Sequence, residues 1–404
     1  MALRHTGCAL RSAALILACG AIQLLSGCAE TTDLPPIPAD LIETAHIPGY
    51  GAIRQFGDAA GSFPLAARAQ TAPPQALQLA EARGNGPLNA LAISGGGANG
   101  AFAAGLLLGW TKAGTRPEFQ VVTGVSVGAL AAPFALLGPR YDSVLRELFT
   151  RLSGRDIVTP RNRLLALFGD SLFRSRPLET LIARYFDDAM LRAVAAAHRQ
   201  GRRLFVATTS IYAGRQVIWD IGAIADSGQP DALALVHRVL LASASVPILF
   251  QPVYFEVEAN GHRYNEMHVD GGITRQVFMG PPQLDWTSLG RTLGTNGNSN
   301  FYVIRNGRVQ SEYMVMPPRL AALGEHAMFQ LTQSLGIGDL YMIYLRAQQE
   351  HARFHAAWIG ADFAAPWEDW HDPQYVGALF KYGYAVGTSA DAWHRFPPGM
   401  SGSK

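Results

Sequence analysis

Cysteine is scarce in this chain: Cys8, Cys19 and Cys28 are the only three in 404 residues. All lie before residue 29, so the chain beyond them cannot form an internal disulfide. A fold of this size has no need of one, because its core is large enough to be stable unaided. Charge is also sparse, at 16% of residues against 49% hydrophobic, which excludes a disordered protein. Neither sign prevails. The net charge is +2, and with Arg4 and Arg11 set aside the basic side chains number 31, equal to the acidic ones. That balance gives no electrostatic reason for a nucleic-acid partner. No repeat of solenoid period is present.

Near the start, Arg4 and Arg11 precede the apolar run Ala13 to Leu25, which is too short to span a bilayer as a permanent helix. Residues 1–27 read as an export signal. The run ends in Leu25-Ser26-Gly27-Cys28, which resembles the lipobox of bacterial lipoproteins. The resemblance implies that Cys28 is lipidated and holds the protein to a membrane of the bacterial envelope, with Ala29 favouring the outer one. Residues 28–87, rich in Pro, Ala and Gly, read as a lipid-anchored tether with one short helix near Gln75 to Arg83.

From Leu88 the pattern changes. A buried strand to Ile93, glycines, a helix to Lys112, a strand Phe119 to Thr123, a tight turn and a helix Ala129 to Leu137 make a βαβ unit with parallel strands. Helices are expected over Asp142 to Leu152, Pro177 to Phe186 and Ala232 to Ala242, and strands over Arg203 to Ser210 and Gln216 to Ile221. A hairpin is expected about Asn260-Gly261, and a last strand over Phe301 to Arg305. The domain is set at 88–310. Residues 311–404 read as a helical extension, amphipathic from Leu320 to about Trp358.

Gly95, Gly97 and Gly100 fit G-x-G-x-x-G after a strand and before a helix, as a dinucleotide fingerprint requires. That fingerprint also needs an acidic residue at the end of the next strand, and Glu118 precedes that strand instead. The next strand runs into Gly124-Val125-Ser126-Val127-Gly128. There the glycines permit a sharp turn that lifts the serine hydroxyl above the sheet, at the positive end of a helix. If the two strands are neighbours, both loops meet at one sheet edge. The amides of Gly95, Gly96 and Gly97 then suit an oxyanion better than a phosphate. A serine nucleophile needs a base, and Asp270 in His268-Val269-Asp270-Gly271-Gly272 closes a strand at a glycine turn.

The glycine loop Gly95 to Gly100, the elbow Gly124 to Gly128 and Asp270-Gly271-Gly272, in that order, resemble the patatin-like phospholipases. Ala207-Thr208-Thr209 followed by Gly214, and Ser243 to Pro247 leading to Phe250 and Pro252, extend the similarity over Leu88 to Arg305. The resemblance implies a three-layer α/β/α sandwich with a mostly parallel sheet. It also implies a Ser126–Asp270 dyad without histidine, an oxyanion hole at Gly95 to Gly97, no cofactor or metal, and acyl esters of phospholipids or lysophospholipids as substrates. Two departures stand out: Asn99 where the family usually has Arg or Lys, and Ile273-Thr274-Arg275 where it commonly has Asn-Pro.

Two other readings stay open. A Ser-His-Asp hydrolase would draw its base from His326, His351, His355 or His371, since chain order allows it. A lipid-anchored binding module would retain the pocket without turnover. His351 and His355 have helical spacing but no third metal ligand, and read as a solvated helix face. Trp358, Phe363, Trp367 and Trp370 read either as the core of an added layer or as a lid or membrane-facing surface.

Overall fold

The computed structural model describes residues 33–59, 86–151, 159–160, 171, 173–281, 283–293, 295, 299–310, 315, 317–365 and 372–401. The export signal, Cys28, the helix expected near Gln75 to Arg83, and Trp367, Trp370 and His371 lie outside them.

A nine-stranded sheet organises the chain. Its strands are β1 (Arg54–Phe56), β2 (Asn89–Ile93), β3 (Val121–Val125), β4 (Arg203–Ser210), β5 (Arg215–Asp220), β6 (Val253–Ala259), β7 (His262–Asp270), β8 (Asn300–Arg308) and β9 (Arg353–Ile359). The helices are α1 (Gly100–Lys112), α2 (Val127–Leu137), α3 (Asp142–Arg151), α4 (Arg176–Tyr185), α5 (Asp188–Arg199), α6 (Ile221–Ala225), α7 (Ala232–Ser243), α8 (Trp286–Thr292), α9 (Leu320–Gln349) and α10 (Pro373–Thr388). Strands β9, β8, β2, β3 and β4 lie side by side and parallel, while β5, β1, β7 and β6 join antiparallel.

The parallel strands are covered on both faces, so they read as apolar runs. Every residue of β2 and β3 is buried. Alternate side chains feed separate cores: Leu91 and Ile93 join the core with α1, α2, α5, α7 and α10, and Ala90 and Ala92 join the core with α8 and α9. The result is a three-layer α/β/α fold, as expected.

Two expectations change. Residues 33–59, assigned to the tether, are packed on the domain. β1 pairs with β5 (Arg54 opposite Trp219), the backbones of His46 and Glu258 exchange hydrogen bonds of 3.1 and 2.9 Å, and Ile37, Ile47, Tyr50, Ile53 and Phe56 are buried. Irregular turns between single anchor residues leave no periodic signal to read. In the C-terminal extension α9 and α10 are helical as expected, but between them, at 353–359, the expected helix continuation is β9, parallel to β8. Helix α9 stops at Gln349 and His351 takes φ 52°. The apolar run Phe354 to Ile359 then finds the open side of β8, a choice that a short buried run does not make by itself.

Helix α10 is fastened to α1 by paired glycines. A Cβ at Gly105 would lie 2.1 Å from the Phe380 carbonyl oxygen, one at Gly109 2.2 Å from that of Tyr384, one at Gly383 2.4 Å from that of Phe102, and one at Gly387 2.2 Å from that of Leu106. The two backbones touch because none of these side chains exists.

Candidate active site

Ser126 stands between β3 and α2 with φ 55° and ψ −128°, a conformation that only a tightly determined turn imposes on a residue with a side chain. Its two flanking glycines make the turn possible. A Cβ at Gly124 would lie 2.5 Å from the Gly128 oxygen, and one at Gly128 2.3 Å from the Ile93 oxygen. The Ser126 N–H donates to Ser243 Oγ at 3.0 Å, and that hydroxyl donates to the Ala207 oxygen at 2.7 Å. The elbow is therefore pinned to β4 and α7, at the N-terminus of α2 where the helix dipole is positive.

The sheet brings Asp270 to the same place. One flank of β4 carries β3 as far as Ala207, opposite Val125, and then β7 from Thr208, opposite Asp270. The C-terminal ends of β3 and β7 thus meet head to head. Gly271 fits between them, since a Cβ there would lie 2.4 Å from the Ala207 oxygen. The Asp270 N–H donates to the Ser245 oxygen at 2.9 Å, its carbonyl accepts from Thr209 Oγ1 at 3.0 Å, and Oδ1 accepts the Gly272 N–H at 2.7 Å. Oδ2 is buried and accepts no well-aligned hydrogen bond. Burial pushes the carboxyl up to about 7, against the Ser126 hydroxyl and the Gly272 N–H, which both favour the charged form.

The glycine loop runs beside the elbow: a Cβ at Gly95 would lie 3.2 Å from that of Ser126. One of the three expected oxyanion donors is already committed, because the Gly95 N–H donates to the Gln276 oxygen at 2.9 Å. Gly95 therefore shapes the loop and does not supply a free amide. Gly96 (φ 150°) and Gly97 (φ 55°) keep their N–H groups free of acceptors among the described residues. A Cβ at Gly96 would lie 2.2 Å from the Asn306 oxygen, so this position admits only glycine. Gly100 lets α1 start against α2, with Val127 Cγ2 2.4 Å from where its Cβ would be.

Asn306, at the end of β8, holds this loop from behind. Its N–H and Nδ2 donate to Ser94 Oγ and to the Ser94 oxygen, both at 2.8 Å, and its Oδ1 accepts the Ala103 N–H of the first turn of α1 at 3.1 Å. Asn99, the uncharged departure in the loop, accepts from the Tyr375 hydroxyl of α10 at 2.8 Å.

A buried polar chain backs the base strand. Arg54 pairs with Glu266, Glu266 Oε2 lies 3.0 Å from His268 Nε2, His268 Nδ1 lies 2.8 Å from Thr208 Oγ1, and Trp219 Nε1 donates to Thr208 Oγ1 at 2.9 Å. Burial alone would raise the Glu266 carboxyl, but Arg54 and His268 overcome this and hold it far below the usual carboxylate range. Burial lowers the His268 imidazole. Sequence reading missed Arg54, Glu266 and Asn306. The available signal was the alternation Glu266, His268, Asp270, which puts three polar groups on one strand face.

The histidines weighed as alternative bases lie elsewhere. His355 is buried on β9, stacked on Tyr302 at 4.5 Å and beside Asn300, three strands across the sheet from β3, which leads into Ser126; it is not on a solvated helix face. His326 lies on α9 beside Gln330, and His351 follows that helix. Of the C-terminal aromatics, Phe363 is buried and Trp358 stacks on His394 at 3.9 Å, as core packing. No three His, Cys, Asp or Glu side chains cluster as a metal site among the described residues.

A small apolar gap of about 10 Å³ lies along α2, bounded by α3, α4 and α7 and lined by Leu130, Phe134, Leu148, Leu181, Ile182 and Leu240. Leu130 lies one helical turn beyond Ser126.

Residues 91–280 match the family model Patatin-like phospholipase. Among solved structures the chain is similar to VipD from Legionella pneumophila, with 12% identity, 74% of this chain and 66% of that one covered, and a TM-score of 0.33. It is also similar to the type III effector protein ExoU, with 15% identity, 75% and 53% covered, and a TM-score of 0.24. This chain thus spans about two thirds of the first and half of the second. No curated protein sequence matches it.

Proposed function

We propose, from the match of residues 91–280 to the family model Patatin-like phospholipase, that the protein is a serine acyl hydrolase acting on acyl esters of phospholipids or lysophospholipids through Ser126 and Asp270. The observation that carries this reading is the junction on β4, where a serine in a strained elbow and a buried carboxyl of raised pKa end adjoining strands. A carboxyl titrating near 7 is matched to proton transfer at neutral pH.

In this mechanism Ser126 Oγ attacks the acyl carbonyl carbon while its proton passes to Asp270 Oδ2. The carbonyl oxygen becomes an oxyanion held by the Gly96 and Gly97 amides, preorganised in the glycine loop and aided by the helix N-termini. Collapse breaks the ester bond, and the leaving alkoxide takes the proton from Asp270. Asp270 then accepts a proton from water, whose hydroxyl attacks the acyl-enzyme; collapse breaks the Ser126 Oγ–acyl bond, Oγ takes that proton back from Asp270, and the fatty acid is released. The histidine reading loses ground because His355 is stacked on Tyr302 and His326 and His351 lie on or just beyond α9.

The test is turnover of a nitrophenyl ester and of a phospholipid. Ser126→Ala and Asp270→Asn should each reduce kcat by about 10³-fold or more while the fold is retained. Full activity in Asp270→Asn would place the base elsewhere, and an inactive parent would favour a binding module. Attachment through Cys28 to a bacterial envelope membrane belongs to the same proposal. Metabolic labelling with a clickable fatty acid should mark the parent and not Cys28→Ser.

A further inference from the structure

Gln276 stands between the glycine loop and the turn that carries Asp270. On one side, a Cβ at Gly95 would lie 3.2 Å from Gln276 Oε1 and equally 3.2 Å from Ser126 Cβ. On the other, a Cβ at Gly272 would lie 2.5 Å from Gln276 Nε2 and 2.9 Å from Asp270 Oδ1. The orientation of the amide is fixed, because Nε2 donates to the Gly272 oxygen at 2.9 Å and a carbonyl oxygen can only accept.

Backbone bonds complete the bridge. The Gln276 oxygen accepts the Gly95 N–H at 2.9 Å, at the start of the glycine loop. Gly272, whose oxygen takes the Nε2 bond, donates its own N–H to Asp270 Oδ1 at 2.7 Å. One residue therefore ties the loop that carries the oxyanion amides to the turn that carries the base. It is held in turn from α9. Asp339 Oδ2 accepts the N–H groups of Gln276 and Val277 at 2.8 and 3.2 Å, and Asp339 Oδ1 pairs with Arg275 at 2.9 Å. Asp339 is 1% exposed, and a carboxylate buried among charge-assisted hydrogen bonds is a firm anchor. A Cβ at Gly336, one turn before it, would lie 3.1 Å from Gln276 Cβ, so the helix backbone abuts this segment. α9 lies outside residues 91–280, which match the family model.

We infer that Gln276 is a positioning residue of the catalytic centre, setting the spacing of the Gly96 and Gly97 amides from Ser126 and Asp270, and that Asp339 of the C-terminal extension holds it in place. The inference rests on the reading of Ser126 and Asp270 as a hydrolytic dyad. The oxyanion forms on one side of Gln276 and the proton is taken on the other, so a relative shift of about 1 Å lowers the rate steeply. The bonds of Gln276 go to the loop and the turn, and their loss therefore falls on kcat before KM.

The experiment measures kcat, KM and melting temperature of the full chain on a soluble nitrophenyl ester. Gln276→Met keeps the side-chain length and the backbone bonds and removes the Nε2 donor. It should lower kcat about 10- to 100-fold, with KM within about twofold and the melting temperature within about 2 °C. Gln276→Glu places a second carboxyl beside Asp270 Oδ1, where among the described residues burial, the Ser126 hydroxyl and the Gly272 N–H alone set the titration. Two adjoining carboxyls release their last proton at higher pH, so the midpoint of kcat/KM should move up by about one unit. A purely structural role leaves that midpoint where it was. Asp339→Ala, or Asp339→Asn should the alanine variant not fold, should also lower kcat, and its loss should not multiply with that of Gln276→Met, since both pass through one segment.

Unchanged kcat in Gln276→Met, a kcat loss that only tracks loss of folded protein, or an unmoved midpoint in Gln276→Glu overturns the inference. Losses that multiply deny Asp339 its hold on Gln276. If Gln276→Met is fully active while Ser126→Ala is inactive, the dyad stands and only the positioning role falls. If Ser126→Ala keeps the parent's turnover, or the parent has none, the dyad falls and the positioning role with it.

Discussion

Val125 and Asp270 occupy consecutive stations on one flank of β4, Val125 opposite Ala207 and Asp270 opposite Thr208. They belong to strands that run in opposite directions and are separated by more than 140 residues of chain. The meeting point needs β4 to outlast β3 by three residues, and it leaves the serine elbow and the carboxyl at one shared step of the sheet.

The raised carboxyl sets a pH dependence. Asp270 titrates near 7 in the folded chain against 3.8 as a free side chain. The protonated form therefore stabilises the fold fully below about pH 4, and that contribution is lost as pH rises through 7. Catalysis needs the opposite state, so kcat/KM should climb with pH, with a midpoint near 7. Asp270→Asn should be inactive yet more stable than the parent by about 2–4 kcal/mol at pH 8, with the gap closing below pH 4. Denaturant melts at the two pH values check the sign.

Gly96 and Gly97 separate space from oxyanion chemistry. Alanine at Gly96 must push against the Asn306 oxygen, displacing the loop, and should lower kcat by about 10²- to 10³-fold with little change in KM. Alanine at Gly97 meets no atom within 4 Å and carries only the strain of φ 55°, a cost of about 1 kcal/mol. Comparable kcat losses in both would deny Gly96 its special position.

Arg54 couples the N-terminal segment to the base strand. Replacing it with Met leaves Glu266 buried without its cation, and should cost about 3–5 kcal/mol in thermal or denaturant unfolding. Adding Glu266→Gln to Arg54→Met should recover much of that loss. If Arg54→Met alone is neutral, residues 33–59 are not held as described.

The sequence by itself determined the local chemistry: an apolar strand, a glycine loop, a serine elbow and an aspartate at a glycine turn. These depend on residue type and short spacing, because only glycine tolerates the close approaches found at Gly96, Gly124 and Gly128. Register and neighbours were decided by the tertiary structure alone. That β7 abuts β3 along β4, that Gly95 spends its amide on Gln276, that Arg54 reaches Glu266, and that Arg353–Ile359 is a strand and not the end of a helix all arise from contacts between segments far apart in the chain. A short apolar run is stable as strand or helix according to the surface offered to it, and here the open side of β8 made the choice.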